Sequence, residues 1–275
     1  MKFQILTDSA SDLTNGYINE KDVVFKVIPL TINISDREYV DDDLLDCKEM
    51  LEDMHKTRKS SSACPAPQSF LQEFDNADYT FIVTITSKLS GSYNAACVAR
   101  NSYKSPEKIF VIDSMATSGT EILIVDKLLK LIKKGHSFED IQREITEYRD
   151  KRSLYFILQK FDNLVKNGRM SEIASLIANA LVIRPVCVAH EGEIKVAKKA
   201  IGEKNAFSKL VKMICEKAKD FSKETLIITH CFAEEEANTF KKSIEEKCNF
   251  KEIRILPMRG LCSYYALERG IIVCH

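Results

Sequence analysis

The stretch Ile82-Val-Thr-Ile-Thr-Ser-Lys-Leu-Ser-Gly-Ser-Tyr-Asn-Ala-Ala96 decides the fold. It begins apolar and β-branched, which is the pattern of a buried strand. It breaks at Ser90-Gly91-Ser92 and resumes over residues 93–100 with good helix formers. A strand, a small hydroxyl turn and a helix start bring unpaired N–H groups and the positive end of a helix dipole to one point. Such a point binds phosphate or carboxylate. The same turn also reads as a plain helix cap, with Ser90 as the capping residue and no ligand.

Upstream, Phe3-Gln-Ile-Leu-Thr7 reads as a short strand closed by the polar turn Asp8-Ser9-Ala10-Ser11-Asp12. Residues 23–34 read as one or two strands interrupted at Pro29. Asp41-Asp-Asp43 is expected to cap a helix reaching about His55, residues 59–67 a loop, and residues 68–76 a short helix. Downstream, residues 107–113 form a strand ending in Asp113-Ser114. Thr117-Ser118-Gly119 opens a helix to about Lys134, and residues 138–148 form another. Strands alternating with helices imply a mostly parallel sheet with right-handed crossovers. The fold class is therefore α/β, with a Rossmann-like parallel sheet flanked by helices over residues 1–150. Ligands in such sheets sit at the carboxyl ends of the strands. The turns at 8–12, 60–67, 87–92 and 113–119 can converge there.

After Lys151-Arg152 the rhythm changes. Residues 153–158, 183–189, 192–197, 225–230 and 253–258 read as strands, and 161–165, 171–181, 203–219 and 234–247 as helices. Glu191-Gly192 is a hairpin turn. Residues 151–275 are expected to form an α+β domain with a mixed or antiparallel sheet that closes over the ligand site.

A chain of 275 residues with 45% hydrophobic content suits two domains with sizeable cores. Lys+Arg and Asp+Glu are 40 each, so no net field draws in nucleic acid. The nine cysteines contain no Cys-x-x-Cys pair, which points to reduced thiols rather than a disulfide framework or a zinc site. No run of about 18 apolar residues is present and the N-terminus enters a strand directly, so a cytoplasmic protein without a transmembrane segment is expected.

Gly-x-Gly-x-x-Gly, the P-loop, His-Glu-x-x-His and Gly-x-Ser-x-Gly are all absent, so no nucleotide cofactor, metal or catalytic group is expected. What remains is a set of turn hydroxyls: Ser9, Ser60, Ser61, Ser62, Ser87, Ser90, Ser92, Ser114 and Ser118. Neutral hydroxyls at helix starts suit an anion held by hydrogen bonds. Without a partnered base they are poor nucleophiles. Arg169 and Arg259 adjoin glycines and can reach an anion bidentately, or pair with a surface carboxylate. A hydrolase or transferase acting on a small anion or acyl ester at these serines, with His230 or Asp113 as base, is the competing reading.

Several stretches, in this order, resemble the DegV family of bacterial fatty-acid-binding proteins along nearly the whole chain. They are Thr7-Asp8-Ser9-Ala10-Ser11-Asp12-Leu13, the loop from Ser62 to Pro65, Leu89-Ser90-Gly91-Ser92-Tyr93, and Asp113-Ser114 with Ser118-Gly119. Asn167-Gly168-Arg169-Met170-Ser171, Ile183-Arg184-Pro185 and Glu191-Gly192-Glu193-Ile194 follow. The resemblance implies a two-domain fold with a long-chain fatty acid such as palmitate held between the domains. Its carboxylate would be held by Ser62 and Ser90, with Gly91, Ser92 and Arg259 beside them and Ser9, Ser114, Ser118, Arg169 and Tyr264 as secondary candidates. Some members present the lipid to a separate fatty-acid kinase, and transient membrane contact is compatible with that role. The family's Thr-Ser-Gln-Pro is Ser62-Ala63-Cys64-Pro65 here. Its C-terminal Gly-x-His-x-Gly-Pro-Gly is replaced by Arg259-Gly260-Leu261-Cys262-Ser263-Tyr264-Tyr265, which puts the family's histidine on Leu261. Arg259 or Tyr264 is expected to supply the missing donor.

Overall fold

The computed structural model describes residues 1–57, 59–170, 183–217 and 220–275. In chain order its elements are β1 (Phe3–Asp8), β2 (Val23–Ile28), β3 (Thr31–Ile34), β4 (Arg37–Val40), α1 (Cys47–His55), β5 (Ser60–Ala63) and α2 (Pro67–Leu71). Then follow β6 (Tyr79–Thr84), α3 (Ser92–Ser102), β7 (Ile109–Asp113), α4 (Gly119–Lys133), α5 (Phe138–Asp150), β8 (Leu154–Ile157) and α6 (Asp162–Lys166). The chain continues with β9 (Val186–His190), β10 (Glu193–Lys198), α7 (Glu203–Lys217), β11 (Thr225–His230), α8 (Glu234–Glu245), β12 (Glu252–Pro257), α9 (Gly260–Ala266) and β13 (Ile271–Cys274).

Three sheets result. The first has the order β2-β1-β6-β7 and is parallel throughout. Its central strands β1 and β6 are buried on both faces, as a sheet sandwiched by crossover helices requires. The second has the order β10-β9-β8-β13-β11-β12, with β11 and β12 the parallel pair in an otherwise antiparallel sheet. The third is a small antiparallel sheet, β4-β3-β5. The parallel sheet and the mixed sheet are those expected for a two-domain α/β chain. One hydrophobic cluster runs through both halves: Ile5, Phe81 and Leu128 share it with Phe156, Leu158 and Ile272.

The side-chain period of two sets what each face of β8 does. Leu154, Phe156 and Leu158 join that shared core, while Tyr155 and Ile157 turn to a second one with α7 and α8. A polar tie crosses the seam as well. Arg254 on β12 donates to Asp126 on α4 at 2.7 Å and to the Tyr17 hydroxyl at 2.7 Å, and Tyr17 donates to Asp126 at 2.6 Å.

Several expectations are corrected. Ser60 to Ala63 is a strand, not a loop, paired in register with β3 (Ile32 opposite Ser62). A run of three serines has no apolar period to read, and only the neighbouring strand makes it extended. The cap of α1 is Asp46, whose carboxylate accepts from the Lys48 and Glu49 N–H groups, not the Asp41 to Asp43 run. Two four-residue strands, β4 and β13, and the seven-residue α9 fall on stretches too short to show a period. The helix expected over 171–181 lies outside the described residues. The reduced-thiol expectation fails at one pair: Cys215 and Cys248 form a disulfide, and seven cysteines are free.

The disulfide joins α7 to the segment after α8 across 33 residues. A loop of that length is worth about 2–4 kcal/mol, chiefly through the unfolded chain. Cys248→Ser is expected to lower the unfolding free energy by that amount in urea titrations without reductant. Equal midpoints for variant and parent would contradict the pairing.

Candidate ligand-binding site

A cavity of about 340 Å³ lies between the two halves. Its apolar walls are Leu30, Ile85 and Ala116 from the first half. Leu154, Phe156, Leu158 and Ile272 from the mixed sheet face them, and Leu261 and Ala266 on α9 complete the wall. The β9–β10 hairpin closes over it through Ala189, Gly192, Glu193 and Ile194. Gly192 sits at the hairpin tip with φ +80°, and a Cβ there would stand 2.4 Å from Thr86 Oγ1, so the tip can approach only as glycine.

The polar groups of the cavity are few. Ser62 Oγ lies 2.8 Å from the Tyr265 hydroxyl. Arg169 lines the cavity; its Nε donates to the Leu89 carbonyl at 3.2 Å and its Nη1 to the Asn167 carbonyl. Ser90, Gly91 and Cys64 complete this wall. Ser90 Oγ accepts from the Ser92 N–H at 3.2 Å, which caps the entry to α3. Burial pushes the Tyr265 hydroxyl above its usual range, while Ser62 and the Arg169 charge pull it back. Tyr265 is thus a neutral hydroxyl at physiological pH. Two hydroxyls from opposite halves, an arginine and a helix entry can receive one anion.

The other sequence candidates are placed elsewhere. Ser92 is buried, accepts from the Ser90 hydroxyl at 3.4 Å and does not line the cavity. Ser9 Oγ accepts from the Leu30 N–H at 3.0 Å. Ser114 makes a local turn with Ala116, and Ser118 donates to Asp12 at 2.5 Å and meets Thr229 at 2.7 Å. The Arg259 guanidinium donates to the Asp42 carbonyl, away from the cavity. Tyr264 is fully buried and bonds Ser60 Oγ at 2.9 Å and Asn167 Nδ2 at 3.0 Å. The residue in the cavity is its neighbour Tyr265, which the sequence reading missed. Leu261, on which the resemblance puts the family's histidine, lines the cavity. On a helix the residue four further on shares its face, and that residue is Tyr265.

Ser62 and Ser90 bond hydroxyls and a backbone N–H. His230 accepts from the Ala233 N–H through Nδ1, and Asp113 accepts from the Ser87 and Met115 N–H groups. Neither lines the cavity. Among the described residues, neither Ser62 nor Ser90 is hydrogen-bonded to His230 or Asp113. Among the described residues no group of three or more His, Cys, Asp or Glu is placed to hold a metal.

Fold and cavity together define a three-sheet α/β protein that encloses an apolar slot with a hydroxyl and arginine end. The chain belongs to the DegV family, whose model, described as an uncharacterised protein, matches residues 2–273. A DegV domain-containing protein of Streptococcus pneumoniae, spr0652, is 38% identical over 282 residues, covering 99% of this chain and 98% of its own. The X-ray structure of the Streptococcus pneumoniae Fatty Acid Kinase (Fak) B3 protein loaded with linoleic acid is 37% identical with a TM-score of 0.93, over 100% of this chain and 99% of that one. A DegV family protein from Eubacterium eligens loaded with heptadecanoic acid is 32% identical with a TM-score of 0.90, over 99% and 98%.

Behind the polar wall lies a buried acid cluster. Burial raises Asp8 to about 6 and Asp12 to about 7, against the opposing hydrogen bonds of Ser92 and Ser118. Glu121 is held well above its usual range by burial and by Asp8 and Asp12 beside it. These groups ionise near pH 4 in the unfolded chain, so the folded state binds more protons between pH 4 and 7. The stability they confer is complete below their unfolded values and lost as pH rises through about 6 and 7. His230 and His275, lowered by burial, act in the opposite sense below 6.5. Stability to urea is therefore expected to rise as pH falls from about 8 to about 6.5, and Asp12→Asn should flatten the slope. A profile that falls over that window would contradict the buried-acid account.

Proposed function

We propose that this protein binds a long-chain fatty acid in the cavity between its two halves and carries it without transforming it. The observation that carries the reading is the apolar slot walled by β8 and α9, polar at Ser62, Tyr265, Arg169 and the Ser90-Gly91 turn. The fatty acids in the Streptococcus pneumoniae and Eubacterium eligens relatives support it. The carboxylate lies at Ser62 and Ser90, with Tyr265 and Arg169 as further donors. The acyl chain runs past Leu154, Phe156 and Leu158.

Burial of methylenes drives such binding at about 0.8 kcal/mol each. A palmitoyl-length chain offers on the order of 10 kcal/mol before ordering costs. The head group then needs to supply orientation and a few hydrogen bonds, which hydroxyls can give. The finer proposal is that the carrier presents its lipid to a separate fatty-acid kinase in the cytoplasm; the similarity to the Fak B3 protein supports it. Among the described residues no helix is long and apolar enough to cross a membrane.

Protein purified from bacteria is expected to carry an acyl chain, identified by mass spectrometry of lipid extracted under denaturing conditions. Protein that arrives empty and fails to take up palmitate or oleate would sink the proposal. Ser62→Ala and Tyr265→Phe should each weaken oleate binding roughly 3- to 10-fold, the worth of one hydrogen bond. Arg259→Ala, whose guanidinium serves Asp42, should stay within about twofold.

A further inference from the structure

Helix α9 begins without a cap of its own: no side chain at Arg259 accepts from its leading N–H groups. Those donors are taken by carboxylates more than 200 residues away in sequence. Asp41 Oδ1 accepts from the Gly260 N–H at 2.8 Å, and Asp41 Oδ2 from the Leu261 N–H at 2.8 Å. Asp12 Oδ1 accepts from the Arg259 N–H at 2.7 Å. Asp41 is buried. The fit at this start is close. A Cβ on Gly260 would stand 2.6 Å from Asp41 Oδ1 and 2.3 Å from Leu45 Cδ2.

One turn further along α9, the Tyr265 hydroxyl meets Ser62 at 2.8 Å, while Tyr264 is turned to Ser60 and Asn167. Neither Asp12 nor Asp41 lines the cavity. A helix of seven residues is only about 10 Å long, so whatever fixes its first N–H groups also fixes the direction of residue 265. We propose that Asp41, with Asp12, is a positioning residue for the head-group end of the cavity: by capping α9 from the other half of the molecule it sets the helix phase at which Tyr265, and not Tyr264, faces Ser62. The carboxylate suits this role because both of its oxygens accept, whereas an amide would turn one of them into a donor facing an N–H. The consequence for affinity rests on the fatty-acid reading above; the structural part does not.

The test uses full-length protein with 3-fluorotyrosine placed at position 265, read by ¹⁹F NMR without ligand, alongside oleate titrations. Asp41→Asn is expected to shift or split the resonance of residue 265. It should also weaken oleate binding roughly tenfold, as expected for one to two displaced hydrogen bonds. In the Tyr265→Phe background the same substitution should cost less than about twofold, because its effect passes through that hydroxyl. Gly260→Ala, which drives Asp41 from its place without removing it, should reproduce the resonance change and decides the matter if Asp41→Asn does not fold. An unmoved resonance at 265, or an equal loss of affinity in both backgrounds, overturns the proposal. Absence of oleate binding by the parent protein defeats the fatty-acid reading alone, since the resonance still reports on Tyr265.

Discussion

Three backbone N–H groups, those of Arg259, Gly260 and Leu261, govern how the two halves of this molecule meet. They open a helix that lies against the first half, with the Gly260 and Leu261 N–H groups buried there. A buried N–H without an acceptor costs about 1–3 kcal/mol, so the seam closes only where acceptors are waiting. Asp12 and Asp41 provide them, and both are themselves buried. Burial raises both acids, and nearby donors pull them back without cancelling it. The polar turn after β1 and Asp41 after β4 together form a socket for the last helix. The Arg254, Asp126 and Tyr17 tie fastens the seam at a second point.

The legible parts of the sequence were those with a period. The strand and helix around the Ser90 turn, the parallel order of the first half and the strand over Thr225–His230 follow from apolar spacing long enough to count. β4, β5 and β13 occupy four residues each, and β5 is three serines and an alanine. Tertiary pairing alone makes these segments extended. The site was legible to the same degree. Ser62, Ser90 and Arg169 do line one cavity. Ser9, Ser92, Ser114 and Ser118 have the same residue type in the same kind of turn, yet they point into the protein and serve its own backbone and acids. Residue type cannot separate these two groups of serines, because a turn hydroxyl bonds local backbone as readily as a ligand.

The choice between Tyr264 and Tyr265 is a matter of helix phase. Treated as an irregular loop, residues 259–266 offer either tyrosine. Placed on a helix, Leu261 and Tyr265 share a face and Tyr264 falls outside it, buried against Asn163 and Asn167. Tyr265 thus stands one turn along the same helical face from Leu261, as a hydroxyl that stays neutral at physiological pH.

That neutrality bears on how an anion can be held here at all. Asp8 accepts from the Ile85 N–H and Asp41 from the Leu261 N–H, both residues of the cavity wall, so acids stand one residue behind the cavity on both sides. Fully ionised, they would oppose a carboxylate entering the slot, and a low-dielectric surrounding would strengthen that opposition. Burial raises Asp8 to about 6 and holds Asp41 and Glu121 above the usual carboxylate range, which shifts each toward its neutral form. Arg169, which lines the cavity and already serves Leu89 and Asn167, adds one positive charge. On the proposed reading, an apolar chain is drawn in by burial of its methylenes, and its carboxylate is met by the hydroxyls and by Arg169.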